Sequence, residues 1–257
     1  MRTGPVTRRA GLLGRLMVLA CFPLAAQVAA QVPWEEFSGR FSASPENGAP
    51  PGPWQALGFP VGRKPRPRFD LVQVDGVRVL RVRSEQAYGT LVHHLTPAVP
   101  SASSVLRWRW RIDQPVAGAD LREKNTDDSP LKVCALFDMP LERLGFMERN
   151  LLRMARARLQ QPLPAATLCY VWDAHLPVGT ILPNVYSPRV RYMVLNSGAQ
   201  AVGQWHSHER PLAQDFMLAF GHESPVVPPL EAIAIGADSD NTHGSSQALV
   251  GDMGLTR

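Results

Sequence analysis

The sequence lacks the marks of the common catalytic folds. Its 257 residues hold no glycine-rich phosphate loop, no Gly-x-Ser-x-Gly elbow, no internal repeat and no low-complexity tail. Strands and helices do not alternate regularly, which speaks against a Rossmann or TIM architecture. There are three cysteines, and none has the nearby ligand pairs of a zinc site. Beyond the first thirty residues, no run is long and apolar enough to span a bilayer.

Residues 1–30 are expected to be a signal peptide. Arg2, Arg8, Arg9 and Arg15 form a basic start, and Leu16 to Ala26 is a short apolar stretch. Val28-Ala29-Ala30 supplies small residues before a cut at Gln31. Val18-Leu19-Ala20-Cys21 offers a lipid-attachment alternative, although Arg15 interrupts the apolar run before it. Either reading makes the chain exported, periplasmic or secreted. Removing the segment lowers the formal +5 charge to about +1, so the basic balance is no argument for nucleic acid. Cys134 and Cys169 remain, both in strand-like runs. In an oxidising compartment they can pair, which is worth roughly 4 kcal/mol from loop entropy. The alternative is two buried thiols.

Residues 31–68 are rich in Pro and Gly and read as loop or extended coil ending in basic Arg63, Lys64, Arg66 and Arg68. From residue 69 strands follow. Phe69–Val74 and Val77–Val82 flank Asp75-Gly76, a hairpin signal. Leu91–Leu95 is a short candidate. In Val105–Ile112, Leu106, Trp108, Trp110 and Ile112 share one face while Arg107, Arg109 and Arg111 share the other. Leu131–Phe137 and Thr167–Trp172 are dense apolar runs suited to central strands. Arg189–Leu195, Met217–Phe220, Ala232–Ile235 and Gln247–Val250 add more, with Asp215–Phe220 open to a short helix instead. One amphipathic helix is expected over 141–160. Leu144, Met147, Leu151, Ala155 and Leu159 make its apolar stripe, and Arg149, Arg153 and Arg156 a basic one. The stripe can pack on the sheet, or the basic helix can lie on an anionic membrane. These elements predict a mainly β chain, an antiparallel jelly-roll-like sandwich over 69–257 with one inserted helix.

Two acidic loops are the strongest candidates for chemistry. Lys124-Asn125-Thr126-Asp127-Asp128 leads into the strand at Leu131, and Asp238-Ser239-Asp240-Asn241-Thr242 follows the one at Ala232. If the loops converge, Asp128 and Asp240 are the candidate catalytic acid and base of a glycan hydrolase or lyase. Asp238, Asp240 and Thr242 place oxygens at alternate positions, a spacing that suits calcium as a cofactor. Alternatively the acids cap turns and are neutralised by Lys124 or an arginine. The arginine row Arg107, Arg109 and Arg111, with Trp172, Asp173 and Arg191, completes a ligand-binding set with Asp127, Asp128, Asp238, Asp240 and Asn241. Exposed, the row suits carboxylates or anionic glycans; covered, it pairs with Asp127, Asp128 or Asp173. Trp108 and Trp110 are expected in the core. His206-Ser207-His208-Glu209 is read as a turn, and His93-His94 points to opposite faces.

Four blocks occur in order. Asp120–Asp128 precedes the Val133–Phe137 strand; Leu168–Asp173 precedes Pro177-Val178-Gly179-Thr180 and Pro183-Asn184. Arg189-Val190-Arg191 goes with Asn196-Ser197-Gly198, Trp205, Glu209-Arg210 and Asp215-Phe216; Asp238-x-Asp240-Asn241-Thr242 closes the series. Over about residues 34–255 this resembles the bacterial domain-of-unknown-function family 3047. His206 and His208 lie outside its pattern. The resemblance implies export and a single domain, and brings no established activity. The residues themselves favour an envelope domain that binds a saccharide or anionic cell-wall polymer, with the carboxylate-dependent enzyme and a purely structural protein as alternatives.

Overall fold

The computed structural model describes residues 1, 4, 37, 39–44, 48–58, 64–99, 102–159 and 163–256. The signal segment with Cys21 therefore lies outside the described residues, as do Arg63 and most of the stretch before Phe37.

The strands are β1 (Trp54–Gly58), β2 (Arg68–Val74), β3 (Val77–Glu85), β4 (Tyr88–Val99), β5 (Val105–Gln114), β6 (Ser129–Phe137), β7 (Ala166–Asp173), β8 (Ile181–Pro183), β9 (Val190–Ser197), β10 (His206–Pro211), β11 (Leu230–Asp238), β12 (Ser245–Val250) and β13 (Gly254–Thr256). They form two sheets. The seven-stranded sheet runs β1-β4-β11-β6-β7-β9-β8, and the six-stranded sheet runs β10-β5-β12-β3-β2, with β13 also on β5. The result is a jelly-roll-like β-sandwich. Its pairing is antiparallel except for β7 beside β9, which run parallel.

Period-two alternation builds the core. Leu80, Val82, Leu106, Trp108, Trp110 and Ile112 from one sheet meet Leu131, Val133, Ala135, Phe137, Ile233 and Ile235 from the other. The β2–β3 hairpin turns on Asp75 and Gly76, both at positive φ as a type I′ turn requires. In the seven-stranded sheet the residues between the core positions face outward. Val92, Cys134, Cys169, Val171, Tyr192, Val194, Ala232 and Ala234 make a second apolar cluster there, roofed by Leu121 and Leu176 from the loops. Cys134 and Cys169 are directly paired across β6 and β7 and form a disulfide.

Several local expectations change. The segment read as coil before residue 69 contributes β1, which pairs with β4 and buries Trp54. The stretch around His206 is a strand, not a turn, because β5 supplies a ladder that its polar sequence does not advertise. Met217–Phe220 is not a strand but the end of a second helix, α2 (Leu212–Phe220), whose Leu212, Phe216, Ala219 and Phe220 are buried. The long helix is α1 (Phe146–Leu159), entered through a 3-10 turn at Leu141–Arg143.

Candidate functional site

The two acidic loops do meet, at the end of the seven-stranded sheet where β6 begins and β11 ends. Asp128 accepts from the backbone N–H groups of Asn241 at 3.2 Å and Thr242 at 2.7 Å, and from the Thr242 hydroxyl at 2.6 Å. Asn241 Nδ2 returns a bond to the Asp127 carbonyl at 3.1 Å. One loop thus caps the other. Asp238 accepts from Ser129 N at 2.6 Å and from Lys132 Nζ at 2.5 Å. Asp240 pairs with Lys64.

These contacts set the chemistry. Asp128 has both oxygens bonded to donors of the opposite loop, and Asp240 faces Lys64. Lys132 and Lys64, not an arginine, neutralise the cluster. Lys132 comes from β6, where it is the single charge in an apolar run, and it sits within 6 Å of the Tyr88 and Tyr192 ring centres, at 5.8 and 5.6 Å. Among the described residues no three His, Cys, Asp or Glu side chains gather as metal ligands. The calcium candidates Asp238, Asp240 and Thr242 point instead to Lys132, Lys64 and Asp128.

Two carboxylates of the cluster keep an oxygen unmatched: Asp240 Oδ1 is buried with no hydrogen-bond partner among the described residues, and so is one oxygen of Asp127. Asp127 is 3% exposed; Oδ2 accepts from Asn184 Nδ2 at 2.6 Å, and Oδ1 is the unmatched oxygen. Burial pushes its carboxyl up to about 6, with Lys132 opposing and Asp238 adding to the rise. Asn184 and the exposed Tyr186 line a shallow depression of about 480 Å³ next to it.

The arginine row lies elsewhere, on the outer face of the six-stranded sheet. Trp108 and Trp110 are buried beneath it as expected. Arg107 pairs with Glu209 at 2.6 Å across to β10. Arg111 pairs with Asp113 at 2.7 Å, two residues along the same strand. None of the row reaches Asp127, Asp128 or Asp173. Arg109 has no carboxylate partner among the described residues. Its guanidinium instead stacks over the Trp205 ring at 4.6 Å, with Arg111 over the same ring at 5.5 Å. Gly251 lets it lie flat, since a Cβ there would stand 2.7 Å from Arg109 Cγ. Arg107 and Arg109 line a depression of about 570 Å³ with Ser207, His208 and Asp252. Below it, Asn196 Oδ1 accepts from Trp110 Nε1 at 2.8 Å and His208 Nε2 at 2.9 Å. Burial pushes His208 down to about 4, helped by His206 and Arg210, so it is neutral at pH 7.

The remaining candidates lie apart from both depressions. Trp172 is 3% exposed within the main core. Asp173 accepts from the His175 and Leu176 N–H groups at 2.7 and 2.6 Å, capping the turn after β7. Arg191 ties β9 to α2, pairing with Glu223, donating to the Ala219 carbonyl and lying over Phe220. Trp205 is the residue the site reading missed, because nothing local in the sequence announces the arginine that stacks on it.

The chain belongs to the family described as "Protein of unknown function (DUF3047)", whose model matches residues 52–254. No curated protein matches it. Among solved structures it is similar to a family 11 carbohydrate-binding module from Clostridium thermocellum in complex with a β-1,3-1,4-mixed-linked tetrasaccharide. The identity is 8% and the TM-score 0.39, covering 79% of this chain and 88% of that one. It is also similar to the xyloglucanase domain of NopAA, a type three effector from Sinorhizobium fredii, in complex with cellobiose, at 9% identity and TM-score 0.40 over 80% and 99%. A family 12 xyloglucanase from Bacillus licheniformis gives 7% and 0.40 over 74% and 85%.

Proposed function

We propose that this chain is an exported envelope domain that binds an anionic saccharide or cell-wall polymer on the outer face of the six-stranded sheet. The observation that carries the reading is Arg109. It is stacked on Trp205, laid across Gly251 and, among the described residues, has no carboxylate partner of its own at the 570 Å³ depression, where Glu209 pairs with Arg107 and Asp252 with Ser42. A guanidinium held flat presents its N–H fork to a carboxylate or phosphate with little ordering left to do. Arg107 and Glu209 beside it offer donors and acceptors to sugar hydroxyls, and the open depression suits a chain end or a single ring.

Isothermal titration with polygalacturonate and with a neutral β-glucan tests this. The polyuronate should bind the parent chain, and Arg109→Ala should weaken it by roughly tenfold to a hundredfold. Trp205→Ala should act in the same direction by freeing the guanidinium to move. A polyuronate that binds Arg109→Ala as tightly as the parent would refute the assignment.

A further inference from the structure

Helix α1 turns its apolar side to solvent. Phe146 and Met147 are 75% exposed, Met154 69% and Leu151 60%. At 100° per residue these four fall within an arc of about 140°. Of the stripe expected to pack on the sheet, Leu144 is buried and Ala155 half-buried, but Met147 and Leu151 face solvent, and Leu152 is turned inward instead. Exposed Arg153 lies about 20° outside the arc and exposed Arg158 within it, one turn past Met154, and neither has a carboxylate partner among the described residues. The helix carries four arginines and one acid. That acid, Glu148, is engaged by Arg189 at 3.5 Å. Arg189 also holds Glu223 at 2.6 Å, just past α2.

We infer that the outward face of α1 rests on an anionic lipid surface. Phe146, Met147, Leu151 and Met154 would enter the headgroup boundary, and Arg153 and Arg158 would meet the phosphates. The helix lies on the surface and does not span it: it has 14 residues and four arginines. Charge selects this occupant. A second copy of the chain would oppose arginine to arginine across the same face, whereas anionic headgroups complement it. An apolar patch of this size left in water is also unfavourable.

The test is co-sedimentation of the full chain with vesicles of phosphatidylglycerol and phosphatidylcholine, and with phosphatidylcholine alone. The first thirty residues carry their own apolar stretch but are common to every variant, so differences between variants report on α1. Binding to the anionic vesicles should exceed binding to the neutral ones and fall with added salt. Arg153→Ala with Arg158→Ala should lower affinity by roughly thirtyfold. Met147→Glu with Leu151→Glu should lower it at least tenfold. All four side chains are exposed, so circular dichroism of both double variants should match the parent. Variants that bind like the parent, or neutral vesicles that bind equally well, would overturn the inference. So would a parent dimer in sedimentation equilibrium that Met147→Glu with Leu151→Glu dissociates, which would make the covering partner a second copy.

Discussion

On the outer face of the seven-stranded sheet, the acids are buried and, apart from one oxygen each of Asp127 and Asp240, matched to partners in the cluster. Lys132 meets Asp238, Lys64 meets Asp240, and Asp128 is saturated by the N–H groups of the opposite loop. On the outer face of the six-stranded sheet, the arginines are half-buried or exposed, and one of them is held in place by an aromatic ring and no acid. Both regions look equally functional as strings of charged residues. Availability separates them: a carboxylate with three fixed donors is part of the scaffold, whereas a positioned cation facing a depression can still form its charge-assisted bond.

The sharpest way to break this contrast is at Lys132. Lys132→Met leaves Asp238 buried and unpaired and should cost about 3–5 kcal/mol in urea unfolding, with Asp238→Asn restoring much of it in the double variant. A loss below about 1 kcal/mol would mean that the cluster is more open than its geometry shows. Asp128→Ala comes next. It strands three donors and should cost about 2–3 kcal/mol. Because its partners are the two residues after Asp240, the Asp128→Ala and Asp240→Ala losses should fail to add by more than about 0.5 kcal/mol in thermal melts, with no shift on adding calcium.

Acidity sets the two faces against each other. The Asp127 carboxyl is raised from 3.8 to about 6 in the folded chain. Between these values the folded state keeps a proton that the unfolded state has lost. Stability therefore falls as pH rises from 4 to 6, on the order of 1–2 kcal/mol. His208 is lowered from 6.5 to about 4, so the unfolded state takes up the extra proton and stability rises over nearly the same window. Melting curves from pH 4 to 7 should show Asp127→Asn shifting the profile toward a rise, and His208→Gln toward a fall. Slopes that change in the same direction would contradict the assignment. The smallest effect concerns Glu209→Gln. It frees the exposed Arg107, so the melting temperature should hold while affinity for polygalacturonate increases a few-fold, read by titration.

Much of the fold was legible wherever local chemistry decides the outcome. Asp75-Gly76 fixes its hairpin through backbone preference, and the Leu106–Ile112 alternation assigns both faces of β5 without reference to the rest of the chain. The misses share a cause. β1 and β10 have little apolar alternation and are strands because β4 and β5 offer them hydrogen bonds. The direction in which α1 faces depends on what lies beneath it, and an apolar stripe states only that a face exists. In the site, the meeting of the two acidic loops was among the options because one precedes and the other follows a core strand. Lys132 was readable in principle as the lone charge inside Leu131–Phe137. The stack of Arg109 on Trp205 joins a residue of β5 to one in the loop before β10 and left no mark in either segment.

One feature of the topology bears on how the molecule assembles. β11 sits between β4 and β6, with Ile233 opposite His93 on one side and Ala135 on the other. Its neighbours precede it by about 100 residues or more, a contact order that places folding in the slow, millisecond-to-second range. Until β11 arrives, β4 and β6 each show an unpaired ladder across a vacant slot in the most apolar part of the sheet. A stranger's extended segment fits such a slot by the same hydrogen bonds. Chains cut before Leu230 should therefore aggregate rather than merely lose stability, and the apolar sequence Leu230–Ala237, supplied as a peptide, should rescue them.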